Sequence, residues 1–146
     1  MLSAIRLAET AYENKEVPVG AVITCNKKII GKGYNQIEML KDNTAHAEIL
    51  AITAASASLQ NKSLSGCEMY VTLEPCIMCV GAAILAKIDS IFFASFDPKS
   101  GACGSVYNIP EDNKLNHKIE IYSGICEDIS KDLLKRFFEE IRGNNN

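Results

Sequence analysis

The chain has 146 residues, of which 47% are hydrophobic and 23% charged, a balance that excludes an intrinsically disordered protein. This length suits one domain that buries its own core without disulfide staples. The formal net charge of −3 excludes a strongly basic chain, so any affinity for nucleic acid would have to come from a local patch.

The first half of the chain predicts two helices separated by a hairpin. Residues 2–14 place apolar side chains at helical spacing, which indicates an amphipathic helix. Residues 17–24 and 29–34 are short apolar runs around a polar turn, a pattern typical of a β-hairpin. Residues 44–59 are rich in Ala, Ile and Leu, and Asn43 or Thr44 is placed to cap a helix there.

The second half predicts three more strands, two helices and one long loop. In chain order these are strand 67–73, helix 76–87 after Pro75, strand 90–96, loop 97–118, strand 119–122 and a last amphipathic helix. The helix at 76–87 has almost no polar face, so we expect it to be buried against the sheet, a partner subunit, or both. The order predicts a mixed five-stranded sheet with helices on both faces, in one domain over residues 1–142 with a disordered tail at 143–146.

The N-terminus and the cysteines indicate where the protein works. Arg6 and Glu9 interrupt the apolar residues of the N-terminus, and no apolar run approaches the roughly 20 residues that span a bilayer. We therefore expect a cytoplasmic protein that does not contact a membrane. In that reducing compartment the six cysteines are thiols or metal ligands. Four stand alone, and we expect small buried side chains at Cys25, Cys67, Cys103 and Cys126.

Two clusters at predicted helix starts carry metal-binding residue types. Cys76 and Cys79 are three residues apart, so they share one helix face, and the positive end of a helix favours the thiolate that ligates metal. His46 also falls in a first helical turn. One imidazole and two thiolates make three protein ligands, the number typical of a catalytic zinc site that keeps a fourth position for water. Such a site lowers the pKa of bound water from about 15.7 to about 7.

Water activated at such a site also needs a group that takes up its proton and passes it on. Glu48 is the candidate, because it lies two residues from His46 and so roughly 200° around the helix, away from the ligand face. His-x-Glu at one helix start and Pro-Cys-x-x-Cys at another is the pattern of zinc deaminases that act on nucleobases. Each half alone has another interpretation. Cys76 and Cys79 also suit a redox pair or half of a structural zinc site, and a histidine on an alanine-rich helix, such as His46, is usually a packed side chain.

Six segments of the chain resemble the bacterial tRNA adenosine deaminase family, within the cytidine-deaminase-like superfamily. The resemblance extends over nearly the whole chain and includes residues 17–22, 33–35, 44–48, 70–79, 97–105 and 115–117. The zinc motifs identify only the superfamily, whereas residues 97–105 with Asn116 and His117 resemble the tRNA-editing branch. The resemblance implies a three-layer α/β/α sandwich of the cytidine-deaminase-like type. It further implies a homodimer that uses one Zn²⁺ per chain and no nucleotide cofactor.

The activity implied by the resemblance is conversion of adenosine to inosine at the wobble position of a tRNA anticodon. Asn35 would then hydrogen-bond the target nucleoside, and the backbone at Ala47 would contact the purine edge. Asp97 would contact the neighbouring nucleotide, and Asn116 and His117 would line the entry for the RNA. These five roles come from matching positions alone.

The last helix departs from the family pattern. Glu139 and Glu140 stand where the family carries arginines that meet tRNA phosphates, which weakens the expected RNA affinity without affecting the chemistry. Two alternatives therefore stay open. One is a deaminase of a free base or nucleoside (guanine, cytosine or cytidine) with the same zinc site. The other is a non-enzymatic binding module stabilised by zinc.

Overall fold

The computed structural model describes all 146 residues. Its helices are α1 (Leu2–Glu13), α2 (Ile37–Leu40), α3 (Ala47–Leu59), α4 (Ile77–Leu85) and α5 (Glu127–Asn144), with a 3₁₀ turn at Ile109–Glu111. Its strands are β1 (Gly20–Cys25), β2 (Lys28–Tyr34), β3 (Cys67–Leu73), β4 (Ser90–Ser95) and β5 (Glu120–Ser123). None of the helices combines the length and the hydropathy that crossing a membrane requires.

The five strands form one sheet in the order β2-β1-β3-β4-β5. β1 is antiparallel to both β2 and β3, whereas β3, β4 and β5 run parallel to one another. Tyr34 at the end of β2 pairs with Gly20 at the start of β1, and Leu73 at the end of β3 pairs with Ser95 at the end of β4. The segments that follow β2, β3 and β4 therefore meet at the same end of the sheet, where these three strands finish. The predicted mixed sheet is confirmed.

Helices cover both faces of the sheet. α1 packs on β1 and β2 and contacts α5, whereas α3 packs on β2 and β1 and contacts α4. A Cβ built at Gly20 would meet α1, and one at Gly33 would meet α3. Because Gly20 pairs with Tyr34, the neighbour of Gly33, and successive strand residues face opposite sides, α1 and α3 lie on opposite faces. The three-layer prediction is confirmed.

Glycine in β2 lets α3 lie directly on the sheet. A side chain at Gly33 would overlap the carbonyl oxygen of Ala47, and one at Gly31 would come within 2.5 Å of the carbonyl oxygen of Ala51. The close approach is needed because α3 presents mostly alanine to the sheet. The first turn of α3, which carries Glu48, is thereby held against the end of β2.

The apolar core lies between the sheet and the α3–α4 layer. Ile23, Met69, Ile91 and Phe93 have no exposed surface and belong to a cluster of 19 buried residues. Burying each such side chain contributes about 1.5–3 kcal/mol, so this layer dominates the stability of the fold.

Four local features of the structure differ from the sequence predictions. Residues 37–40 form a short helix that the sequence did not indicate, and the predicted loop 97–118 contains the 3₁₀ turn. α3 begins at Ala47 with His46 in the N-cap position, so the prediction of Asn43 or Thr44 as the cap is wrong. Asp42 accepts hydrogen bonds from the Thr44 amide and hydroxyl, which fixes these residues in a turn before the helix. α5 extends to Asn144, two residues into the segment predicted as a tail.

Candidate metal and catalytic centre

The N-termini of α3 and α4 meet at this end of the sheet and bring the predicted ligands together. His46 is the N-cap residue of α3 and Cys76 the N-cap residue of α4, both with extended backbone angles, and Cys79 lies in the first turn of α4. Pro75 precedes Cys76 and accepts a hydrogen bond from the Ala102 amide, which fixes the approach of the chain to α4. The unpaired amides of both first turns give the site a positive potential that favours thiolate.

The ligand atoms have the spacing of a tetrahedral zinc site. His46 Nδ1 lies 3.7 Å from Cys76 Sγ and 3.5 Å from Cys79 Sγ, and all three atoms are within 4.8 Å of one another. Zinc bonds of about 2.0 Å to nitrogen and about 2.3 Å to sulfur at tetrahedral angles separate the two atoms by about 3.6 Å. No fourth protein ligand belongs to the group. The donor set therefore fits Zn²⁺ bound in the manner of catalytic sites.

The two thiols are electrostatically unequal. Hydrogen bonds from the Cys79 thiol and from His46 lower the pKa of Cys76 to about 4. The same hydrogen bond, together with burial, raises the pKa of Cys79 well above its usual range. The pKa of His46 is raised, chiefly by its hydrogen bond with Cys76. A cation bound here takes the place of the shared protons, because metals bind the thiolate form.

Glu48 lies beside the ligands and lines the same cavity. Its side chain is 4% exposed, and burial raises the pKa of its carboxyl to about 7. Such a carboxyl exchanges a proton readily near neutral pH, which is what a general acid–base group requires. Glu48 thus lies in the cavity beside the ligand residues, and its role as the proton carrier stays a prediction.

The cavity at this end of the sheet has a volume of about 240 Å³. Its walls include the apolar side chains Val17, Val19, Ile37 and Leu73, and its polar groups come from Asn35, His46, Glu48, Glu74, Cys76, Asp97 and Ser100. Cavities that take drug-sized ligands measure about 300–1,000 Å³, so this one suits a single nucleobase.

Asn35 and Ala47, two predicted substrate contacts, are bonded to each other. Asn35 Oδ1 accepts a hydrogen bond of 2.9 Å from the Ala47 amide, and its Nδ2 donates to the carbonyl oxygen of Val17 at 3.2 Å. An amide side chain keeps one further N–H and one lone pair, so Asn35 can still contact a ligand. The Ala47 amide is already used, and Ala47 is fully buried. Both substrate roles stay predictions.

Asp97 lies at the cavity, but Asn116 and His117 do not. The Asp97 carboxylate accepts hydrogen bonds from the amides of Lys99 and Ser100 and so shapes the start of its loop. The ring of His117 is 2.6 Å from the carbonyl oxygen of Ile88, just before β4 begins. Since the cavity lies where β4 ends, the strand separates the two places by about 20 Å. The position of Asn116 and His117 therefore does not support their predicted role at the RNA entry of the same chain.

Six cavity residues had no role assigned from the sequence: Val17, Val19, Ile37, Leu73, Glu74 and Ser100. Glu74 stands within segment 70–79, but nothing in the pattern shows which groups its carboxylate meets. Ser100 and Ile37 lie in segments without periodicity. The only signal in the sequence that could have indicated a role in the cavity is a position directly after a strand. It applies to Glu74 alone.

The four remaining cysteines take no part in this centre. Cys67 and Cys103 are buried as expected, whereas Cys25 and Cys126 are half-buried, so the expectation for these two is wrong. Cys25 sits near the hairpin turn, and Cys126 precedes α5 with a left-handed backbone, both at the ends of elements.

Comparison with known proteins agrees with this centre. Residues 1–95 match the family model of the cytidine and deoxycytidylate deaminase zinc-binding region, so the chain belongs to the zinc-dependent deaminases. It is also 48% identical to the tRNA-specific adenosine deaminase of Aquifex aeolicus (strain VF5) over 141 residues, which are 97% of this chain and 93% of that protein. Within the deaminases, the chain belongs to the tRNA-specific adenosine deaminase family.

Solved structures show the same fold. One comes from studies of A-to-I editing by tRNA:A34 deaminases at the wobble position of transfer RNA. Its TM-score is 0.87 at 38% identity, covering 90% of this chain and 95% of that chain. The guanine deaminase from Nitrosomonas europaea gives a TM-score of 0.76 at 25% identity, covering 92% and 80%. The resemblance found in the sequence is confirmed, and Zn²⁺ is the cofactor for which the site is built.

Proposed function

We propose that this chain hydrolyses the amine of adenosine to inosine at the wobble position of a tRNA anticodon. The observation that carries the proposal is the buried Glu48 carboxyl, which faces a base-sized cavity beside the His46, Cys76 and Cys79 donors. A binding module has no need for a buried carboxyl at a three-ligand site, since structural zinc is normally closed by four ligands.

The ligand residues, Glu48 and Asn35 have separate tasks in this chemistry. His46, Cys76 and Cys79 would hold Zn²⁺, which would supply the Lewis acidity that makes water nucleophilic at neutral pH. Glu48 takes a proton from the attacking water and delivers it to the ring nitrogen, and it then moves the remaining hydroxyl proton to the amine, which leaves as ammonia. Asn35 orients the base, and the apolar walls exclude bulk water. The products are inosine and ammonia.

An apolar groove beside the cavity favours a polynucleotide over a free base. This groove of about 390 Å³ shares Val17, Leu73, Asp97 and Ser100 with the cavity and continues along Phe96, Pro98, Lys99, Leu134 and Phe138. Phe96 is 46% and Phe138 is 44% exposed. Exposed aromatic rings offer stacking surfaces for unpaired bases, the usual means of recognising single-stranded RNA. A free base would leave this groove empty.

A second candidate is deamination of a free purine. The likeness to a guanine deaminase favours it, as do the exposed Glu139 and Glu140 on α5. Carboxylates near a binding site repel phosphates, whereas lysine and arginine attract them. We rank this candidate second, because it does not account for the groove.

We also propose a homodimer working in the cytoplasm. α4 buries Cys79, Val80 and Ala83 but leaves Leu85 83% and Ile77 56% exposed. An apolar helix face open to water is the usual mark of a protein contact.

The test offers the zinc-loaded protein an anticodon stem-loop with adenosine at the wobble position. Free adenosine, cytidine, cytosine and guanine are assayed in parallel, with products identified by mass. The proposal expects inosine in the stem-loop and no turnover of the free compounds. Turnover of a free base with an untouched stem-loop would contradict it and favour the second candidate.

A further inference from the structure

A second buried carboxylate lies next to the ligand motif. Glu74 follows β3 and precedes Pro75 and Cys76, and its side chain is 2% exposed. It takes part in none of the ion pairs of the chain, which are all on the surface. A buried charge without a counterion is costly unless hydrogen bonds compensate it. The residues that donate these hydrogen bonds are therefore the ones that the Glu74 carboxylate holds in place.

All the donors that compensate Glu74 come from one loop, residues 97–105. Oε1 accepts from the Asp97 amide at 3.2 Å and from the Ser105 hydroxyl. Oε2 accepts from the Cys103 amide at 3.1 Å and from the Ser105 amide at 3.2 Å. The loop wraps around the carboxylate and has donors at its start and at its end.

The fit between this loop and Glu74 requires glycine at position 101. A Cβ at Gly101 would overlap Oε2 of Glu74 and would lie 2.6 Å from the carbonyl oxygen of Asp97. Gly101 also forms an isolated bridge with Cys76. The loop is thus tied both to the carboxylate and to the turn that supplies a zinc ligand.

The other side of the loop forms a wall of the cavity and of the groove. Asp97 and Ser100 line both, and Pro98 and Lys99 line the groove. The position of this wall relative to the ligands depends on the bonds to Glu74.

We propose that Glu74 is a positioning residue whose carboxylate fixes loop 97–105, and so Asp97, against the start of α4, setting the place of the nucleotide next to the target base. The inference rests on the proposed RNA substrate. Glu74 acts through the loop and does not itself take part in the chemistry.

Glu74→Gln tests this with the smallest change in shape. A glutamine has one acceptor oxygen, and its NH₂ group cannot face the two backbone amides of Cys103 and Ser105. The NH₂ group must therefore take the place of Oε1, where the Ser105 hydroxyl can rotate to accept from it. The Asp97 amide alone then loses its partner. The variant should keep the fold and the zinc but loosen the loop at Asp97.

Ser105→Ala is the matched control. It removes one hydroxyl donor and leaves the carboxylate with three amide donors, so it should raise KM less than threefold. Combined with Glu74→Gln, it removes the hydroxyl that accommodates the new NH₂ group. The double variant should therefore raise KM by more than the product of the two single increases. If Glu74→Gln does not fold, hydrogen exchange of residues 97–105 in Ser105→Ala tests the same contact: faster exchange of these amides supports the proposal, and unchanged exchange contradicts it.

The experiment combines kinetics with hydrogen exchange on the zinc-loaded protein. On the wobble-adenosine stem-loop, Glu74→Gln should raise KM about tenfold, the effect of one charge-assisted hydrogen bond, with kcat within about threefold and zinc content unchanged. Stem-loops with an abasic site directly 5′ or 3′ of the adenosine identify the nucleotide that the loop contacts. The KM penalty should vanish on one of them.

Hydrogen exchange separates failure of this inference from failure of the proposed function. The amides of residues 97–105 should exchange at least tenfold faster in Glu74→Gln, while those of α3 and β3 stay unchanged. Unchanged exchange of the loop, an equal penalty on all three stem-loops, or a fall in kcat alone would overturn the inference. If the wild-type protein deaminates no stem-loop, the proposed function fails, and the exchange result still decides whether Glu74 positions the loop.

Discussion

Replacement of Glu48 by glutamine should abolish activity and at the same time stabilise the fold. Burial raises the pKa of the Glu48 carboxyl from its ordinary value of 4.5 to about 7. A carboxyl with a raised pKa binds its proton more tightly in the folded state, so its ionisation at higher pH disfavours that state. At pH values well above 7, the ionised carboxyl lowers the free energy of unfolding by on the order of 3 kcal/mol. Zn²⁺ with two thiolates is close to neutral, so the bound ion does little to offset it.

The predicted signal is a stability difference that grows with pH. Between pH 5.5 and 8.5, the free energy of unfolding of Glu48→Gln should rise by about 2 kcal/mol relative to that of the wild type. Urea denaturation of both zinc-loaded proteins at several pH values measures this difference, and deamination of the stem-loop measures activity. General acid–base groups contribute about 10²–10⁴-fold, so activity should fall by at least the lower figure.

The control is Glu13→Gln, a change at an exposed side chain near the end of α1 to which no burial cost applies. A stability difference for Glu48→Gln that does not vary with pH would refute the reasoning. So would a variant less stable than the wild type at pH 8.5, or one that retains full activity.

Three further changes test other parts of the structure. Cys79→Ala should lose stoichiometric zinc, measured by metal analysis of the dialysed protein, whereas Cys126→Ala should keep it; zinc retained in Cys79→Ala would show that the site is misplaced. Gly33→Ala should lower the free energy of unfolding by about 1–3 kcal/mol in urea denaturation, because its Cβ overlaps the Ala47 carbonyl oxygen; an unchanged midpoint would contradict the close packing of α3. Leu85→Lys should convert the proposed dimer to monomer in analytical ultracentrifugation, and an unchanged mass would exclude this face of α4 as the contact.

The sequence was sufficient for the sheet and for the metal ligands because both depend on local patterns. Alternating and helical periodicity located all five strands and the four long helices. Cys76 and Cys79 could be recognised as a pair of ligands because residues three apart share one helix face. His46 could be recognised because it lies at a predicted helix start. These features do not depend on which distant residues meet.

The rest of the site depends on contacts that no local pattern encodes. The role expected for His117 came from a matching position and stays a prediction, since its ring contacts the carbonyl oxygen of Ile88 just before β4 begins. Glu74 was visible as a charge within a motif, yet its hydrogen-bond donors are amides 23, 29 and 31 residues further along the chain. The start of α3 moved to Ala47 because a turn formed at Asp42 competes with the cap.

The most direct test of the account is deamination of a wobble-adenosine stem-loop by the zinc-loaded protein in ¹⁸O-labelled water. The account predicts inosine at the wobble position alone, carrying one ¹⁸O atom from solvent, with one ammonia released per inosine and no product from Glu48→Gln. A stem-loop that stays unchanged while a free purine is converted would contradict the RNA substrate. Inosine formed without label from solvent would contradict the hydrolytic chemistry assigned to His46, Glu48, Cys76 and Cys79.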